Sequence, residues 1–77
     1  MNNWKEENNA LHKTFVFKDF AAAISWMVNA SFIIEKLNHH PEWSNIYNKV
    51  TVKLTTHDAG NTVTEKDKQL AELLDSL

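Results

Sequence analysis

The chain has no cysteine, one glycine and one proline among its 77 residues. Without thiols, neither a disulfide nor a thiolate zinc site can reinforce the fold, and no redox compartment is signalled. A domain this short buries a smaller fraction of its surface than a larger one does, so oligomerisation is the expected supplement. Grouped cations are missing too, and the formal net charge is −2. A surface that reads phosphate backbones needs clustered Lys and Arg, which argues against nucleic acid as a direct ligand. The opening "MNNWKEENNA" has no apolar segment of the secretory type, and the longest apolar stretch, 21–28, is interrupted by Ser25. A bilayer crossing needs about 20 apolar residues. Repeats, low-complexity tracts and linkers are absent, so the expectation is one soluble, cytoplasmic domain over 1–77 with no membrane partner.

What is present alternates between strand and helix periods. In "LHKTFVF", residues 11–17, Leu11, Phe15 and Phe17 share one side and His12, Thr14 and Val16 the other, the two-residue period of a strand. Residues 4–7 are expected to pair with it through "ENNA", because asparagines tolerate the positive φ of a tight hairpin. Asp19 can cap a following helix. There Phe20, Ile24, Met27, Ser31 and Ile34 form one apolar row and Trp26, Ala30, Ile33 and Leu37 a second. Pro41 disfavours helical angles at His40, which ends that helix near Asn38.

"WSNIYNKVTVKLTTH" reads as two strands joined near residues 47–49, with Val50, Val52 and Leu54 facing the core. The glycine-bearing loop "DAGNTV" then leads to a last helix, with Thr64 and Asp67 spaced as a capping box and Leu70, Leu73, Leu74 and Leu77 as its buried stripe. The order β-β-α-β-β-α implies an α+β fold, a four-stranded antiparallel sheet with both helices on one face.

The chemistry-bearing stretch is "EKLNHHPEW", residues 35–43, with a further histidine in "TTHDAG". His39 and His40 fall at a helix end and His57 at a strand end, where side chains can converge. Glu35 stands one helical turn before His39, placed to orient that imidazole. Imidazoles titrate near pH ~6.5 and can both give and take protons. Three of them could also hold zinc with a water as fourth ligand, although adjacent residues rarely reach one metal. His12 reads as a surface residue, and Asp67 as a helix cap before a catalytic acid.

"FKDFAAAISWM", "EKLNHHPEW", "IYNKVTVKLTTHDAG" and "TEKD", in this order, resemble the pterin-4a-carbinolamine dehydratase family from about Trp4 to the C-terminus. The resemblance implies a hydro-lyase, assembled as homodimers or homotetramers, that converts 4a-hydroxytetrahydropterin to the quinonoid dihydropterin in tetrahydrobiopterin recycling, with no metal or organic cofactor. It places the catalytic histidines at His39, His40 and His57. Reduced-pterin contacts would fall on Glu35, Asn38, His39, His40, Thr55, Thr56, His57 and Asp58, with Asp67 as a further candidate. The expectation is that His40 and His57 act nearest the 4a-carbon while His39, positioned by Glu35, helps to hold the pterin. Three departures from the family pattern stand out: Asn38 where Asp is common, a loop from His57 to Asp67 one residue longer, and a start close to Trp4 without the N-terminal helical segment of longer members. Animal members also serve as dimerisation partners of a homeodomain transcription factor, a role that the shortened start and acidic balance leave without support.

Overall fold

The computed structural model describes residues 3–77. Its first hairpin turns on two asparagines, Asn8 and Asn9, both left-handed at φ 52° and 62°, as a two-residue loop of the twist-matched kind requires. They join β1 (Lys5–Glu7) to β2 (Ala10–Val16). The second hairpin joins β3 (Glu42–Ile46) to β4 (Lys49–Leu54). Its Tyr47 is left-handed, held by the Asn45 side-chain amide donating to the carbonyls of Tyr47 and Lys49 at 3.1 and 2.9 Å. The sheet runs β1-β2-β4-β3, antiparallel throughout.

The longer helix, α1 (Phe20–Leu37), links β2 to β3 and begins where the Asp19 carboxylate accepts from the Ala22 amide at 2.8 Å. The shorter helix, α2 (Glu65–Asp75), closes the chain with the Thr64–Asp67 capping box. Leu11, Val50, Val52 and Leu54 of the sheet pack against Ala23, Trp26, Ala30 and Ile34 of α1 and Leu70, Ala71 and Leu74 of α2, so both helices lie on one face. Trp26 sits at the centre of an aromatic group, 4.5 Å from Phe15, 5.5 Å from Phe17 and 6.4 Å from Trp43 between ring centroids. Beyond this core, Lys13 binds Asp75 at 2.6 Å and Asp75 accepts from the Trp4 indole at 3.0 Å, tying the end of α2 to the first hairpin.

Three expectations need correction. Phe20 and Ile24, placed in the buried stripe, are exposed, and Val28 and Phe32 join them on the outward face of α1. This helix is apolar on most sides, and the sheet takes the side where Ala23 and Ala30 permit close approach. Leu77, expected in the stripe of α2, is exposed because the helix stops at Asp75. The apolar segment is also longer than residues 21–28. All 18 residues of α1, with a mean hydropathy of 1.3, would suffice by length and composition to cross a membrane, and here one face of that helix forms the core.

Candidate active site

Two chain reversals create the site. Asn38, left-handed at φ 51°, caps α1 and returns its amide to the Glu35 carbonyl. Asparagine is suited to that conformation, and with Pro41 following, helical geometry does not extend to the histidines. His39 and His40 therefore leave in different directions. On the other side, β4 ends at Leu54, and residues His57–Ala59 form a 3-10 turn closed by Gly60 at φ 77°. The Thr56 amide donates to the Thr62 carbonyl at 2.9 Å, which ties the two ends of this loop together.

His39 turns inward. Its Nε2 lies 2.5 Å from Oδ1 of Asp67, whose side chain is fully buried. The other carboxylate oxygen accepts from the Thr56 hydroxyl at 2.7 Å and from the Thr64 amide at 2.8 Å. Since a carboxylate only accepts, Nε2 of His39 carries a proton and donates it to Asp67. With its one hydrogen given to Asp67, Thr56 accepts from the Thr64 hydroxyl at 2.7 Å. Each member of this buried network has its partner, as buried polar groups require.

His40 turns outward. Its Nε2 donates to Glu35 Oε1 at 2.7 Å, with both side chains more than half exposed. The predicted pairing of Glu35 with His39 is thus incorrect: the left-handed cap at Asn38 removes His39 from the helical position facing Glu35, and His40 occupies it. His57 is the most open of the three at 89% exposure, with Nδ1 3.7 Å from the Asp58 carboxylate. Thr55 anchors the strand end by donating to the Asn9 carbonyl at 2.9 Å.

A cavity of about 240 Å³ brings His40, Thr55 and His57 together, with Pro41, Glu42, Lys53 and Asn61 as the rest of its wall. His39 and Asp67 do not line it. Thr56 and Asp58 instead border a wider hollow of about 470 Å³ beside the start of α2, with Ala59, Thr64, Glu65 and Lys66. Asn38 contributes through its backbone at the helix end, and Glu35 through His40. Glu42 and Lys53 were missed by sequence reasoning, although strand alternation could have found them, since they stand opposite one another on β3 and β4. Among the described residues, no three His, Asp or Glu side chains group as a metal site. Two imidazoles from separate segments opening into one cavity can give and take a proton on a single small molecule.

Residues 1–77 match the family model described as pterin 4 alpha carbinolamine dehydratase. A provisionally named pterin-4-alpha-carbinolamine dehydratase of Opitutus terrae is 53% identical over 74 residues, covering 96% of this chain and 76% of that protein. A likewise named protein of Solibacter usitatus is 50% identical, with 96% and 77% covered. A solved structure from Brucella melitensis, described as a transcriptional coactivator/pterin dehydratase, superposes with a TM-score of 0.92 at 41% identity, over 99% of this chain and 82% of its own.

Proposed function

The chain belongs to the pterin 4 alpha carbinolamine dehydratase family of hydro-lyases, and we propose that it dehydrates a 4a-hydroxytetrahydropterin with His40 and His57 as its proton-transfer pair. The observation that carries this reading is their shared cavity. Dehydration breaks the C4a–O bond, removes the N5 proton and forms the C4a=N5 double bond, so water leaves when one group protonates the hydroxyl and another accepts from N5. With its Nε2 hydrogen directed at Glu35, a neutral His40 offers Nδ1 as the acceptor. Among the described residues none holds the His57 ring closer than Asp58, at 3.7 Å, and His57 serves as the donor. Thr55 lines the same cavity and positions the pterin there, while His39, its ring fixed by Asp67 outside that cavity, would touch only a part of the pterin that reaches past the cavity wall.

General acid–base groups contribute typically about 10²- to 10⁴-fold. That suffices here, because the N5 lone pair already assists the departing hydroxyl. Proton transfer alone completes the reaction, so no metal or organic cofactor is required, and the product re-enters tetrahydropterin recycling in the cytoplasm. The exposed row Phe20, Ile24, Val28 and Phe32 along α1 supports assembly into homodimers or homotetramers, since monomers rarely leave such contiguous apolar surface open.

The test is the decay rate of 4a-hydroxytetrahydropterin, generated in situ by a phenylalanine hydroxylase, with chelator present. Fast decay in the wild type that collapses in His40→Ala and His57→Ala supports the proposal. Decay at the uncatalysed rate from folded protein refutes it. A second reading, an interaction module on the same fold, draws on the coactivator description of the Brucella melitensis neighbour; it predicts partner binding that survives both histidine substitutions.

A further inference from the structure

Two histidines adjacent in sequence end in opposite surroundings. The His39 side chain is 11% exposed and faces the buried Asp67, whereas the His40 side chain is 56% exposed and meets Glu35. The direction given to each is set one residue earlier. Asn38 stands at φ 51° and ψ 43°, its amide donating to the carbonyls of Glu35 and Ile34, and the His39 amide donates to the Ile34 carbonyl at 3.4 Å. This is the bonding of a Schellman cap, in which the left-handed residue bonds back to the last turn and the next residue bonds back one step further. In that motif the residue after the left-handed one commonly folds against the end of the helix, with an apolar side chain. His39 occupies that inward place here, and Asp67 meets its ring there. The alternative is one pair of dihedral angles away. With Asn38 in helical angles, His39 would stand four residues after Glu35 on the same face of the helix. His40 would then lose its acceptor on Glu35, and the buried Asp67 would lose its donor. Pro41 does not choose between these arrangements, since the residue it restrains is His40 and not Asn38.

We propose that Asn38 is a positioning residue for the dehydration: its left-handed backbone, rather than its side-chain amide, sends His39 to Asp67 and leaves His40 in the cavity with His57. The kinetic part of this inference rests on the dehydratase reading. Asparagine is one of the few residues bearing a side chain that enter these angles readily, and glycine enters them more readily still. A β-branched residue resists them. Substitution can therefore separate the backbone conformation from the amide group, because Asn38 is exposed and no core packing is lost with its side chain.

The experiment compares wild type, Asn38→Gly, Asn38→Ala and Asn38→Val by two readouts. One is the His39 imidazole N–H, which the buried carboxylate shields from solvent exchange; proton NMR reads it without substrate, and its absence from His39→Ala assigns it. The other is kcat and KM for a 4a-hydroxytetrahydropterin. Wild type and Asn38→Gly should both show the protected N–H, with KM values within about twofold of each other. Asn38→Val should lose that proton and turn over about tenfold more slowly, part of the general acid–base contribution, with Asn38→Ala between the two. A raised KM with intact kcat in Asn38→Gly would mean that the amide itself binds the pterin, and would overturn the proposal. So would an Asn38→Val protein, or Asn38→Ala if the valine variant does not fold, that melts at a lower temperature yet keeps the protected proton and the wild-type kcat. That is the behaviour of a cap that serves stability alone. No turnover by the wild type would overturn the dehydratase reading and this role in it, and the imidazole proton would then report the sorting of the two histidines by itself.

Discussion

Replacing Asp67 separates the structural and chemical parts of the buried network. In Asp67→Ala, the Thr64 amide, the Thr56 hydroxyl and the His39 imidazole all lose their acceptor at once. A lost N-terminal helix contact costs about 1 kcal/mol, and each hydrogen bond to a charged group contributes roughly 1.5–3 kcal/mol. Together they place the loss at about 4–7 kcal/mol, a large fraction of the 5–15 kcal/mol that holds an ordinary domain together. For a domain of this length each kcal/mol lowers Tm by about 4–8 °C, so calorimetry should show a fall of roughly 16 °C or more. Asp67→Asn keeps the shape and one acceptor oxygen, which can satisfy either Thr64 or His39 but not both in the native geometry. Its Tm should fall by less than half as much. Its KM for the pterin should rise, because an amide N–H facing His39 demands the opposite tautomer or a turned ring. If His39 is the route by which Asp67 acts on substrate, combining Asp67→Asn with His39→Ala should raise KM no further than His39→Ala alone. A loss in Asp67→Ala below about 1 kcal/mol by chemical denaturation, or additive KM effects in the double variant, would refute the reasoning.

Glu35→Ala releases the His40 ring and should slow dehydration by roughly tenfold, part of the full general acid–base contribution, with Tm nearly unchanged since the pair is exposed; steady-state kinetics beside a melting curve checks both halves. Phe32→Glu places a charge on the exposed row of α1, and sedimentation equilibrium should find smaller assemblies than in the wild type, an unchanged mass arguing against that face as the contact. Tyr47→Asn should stabilise the protein by roughly 1 kcal/mol, because asparagine accepts the left-handed angles that a tyrosine adopts only with strain; a lower midpoint in urea would contradict this.

Local chemistry was legible where neighbours in sequence decide it. Asp19 before an apolar run, Asn8–Asn9 between strand-like segments, Pro41 after a helix and Thr64 three residues ahead of Asp67 each act on their own backbone, and each appears as expected. The face of α1 was not legible, because a helix apolar on most sides offers two candidate stripes and periodicity does not rank them. Only the sheet, by accepting Ala23 and Ala30, chooses. The pairing of carboxylates with imidazoles failed for a related reason: an idealised helix puts His39 over Glu35, and the single left-handed residue at Asn38 gives that place to His40. The contact between His39 and Asp67 spans 28 positions of sequence, beyond any local signal, although the capping box had already located the carboxylate.

The left-handed turns have a consequence for the unfolded chain. Among the described residues Asn3, Asn8, Asn9, Asn38 and Asn61 all take positive φ, a task for which this protein employs glycine only at Gly60. Glycine in those places would adopt the same angles with less strain, but it would widen the ensemble of disordered conformations that folding must abandon. An asparagine keeps its Cβ and so limits that freedom before folding begins. For a chain that can enclose only a small core, turns built from asparagine shift part of the stability from contacts made in the native state to choices removed from the denatured one.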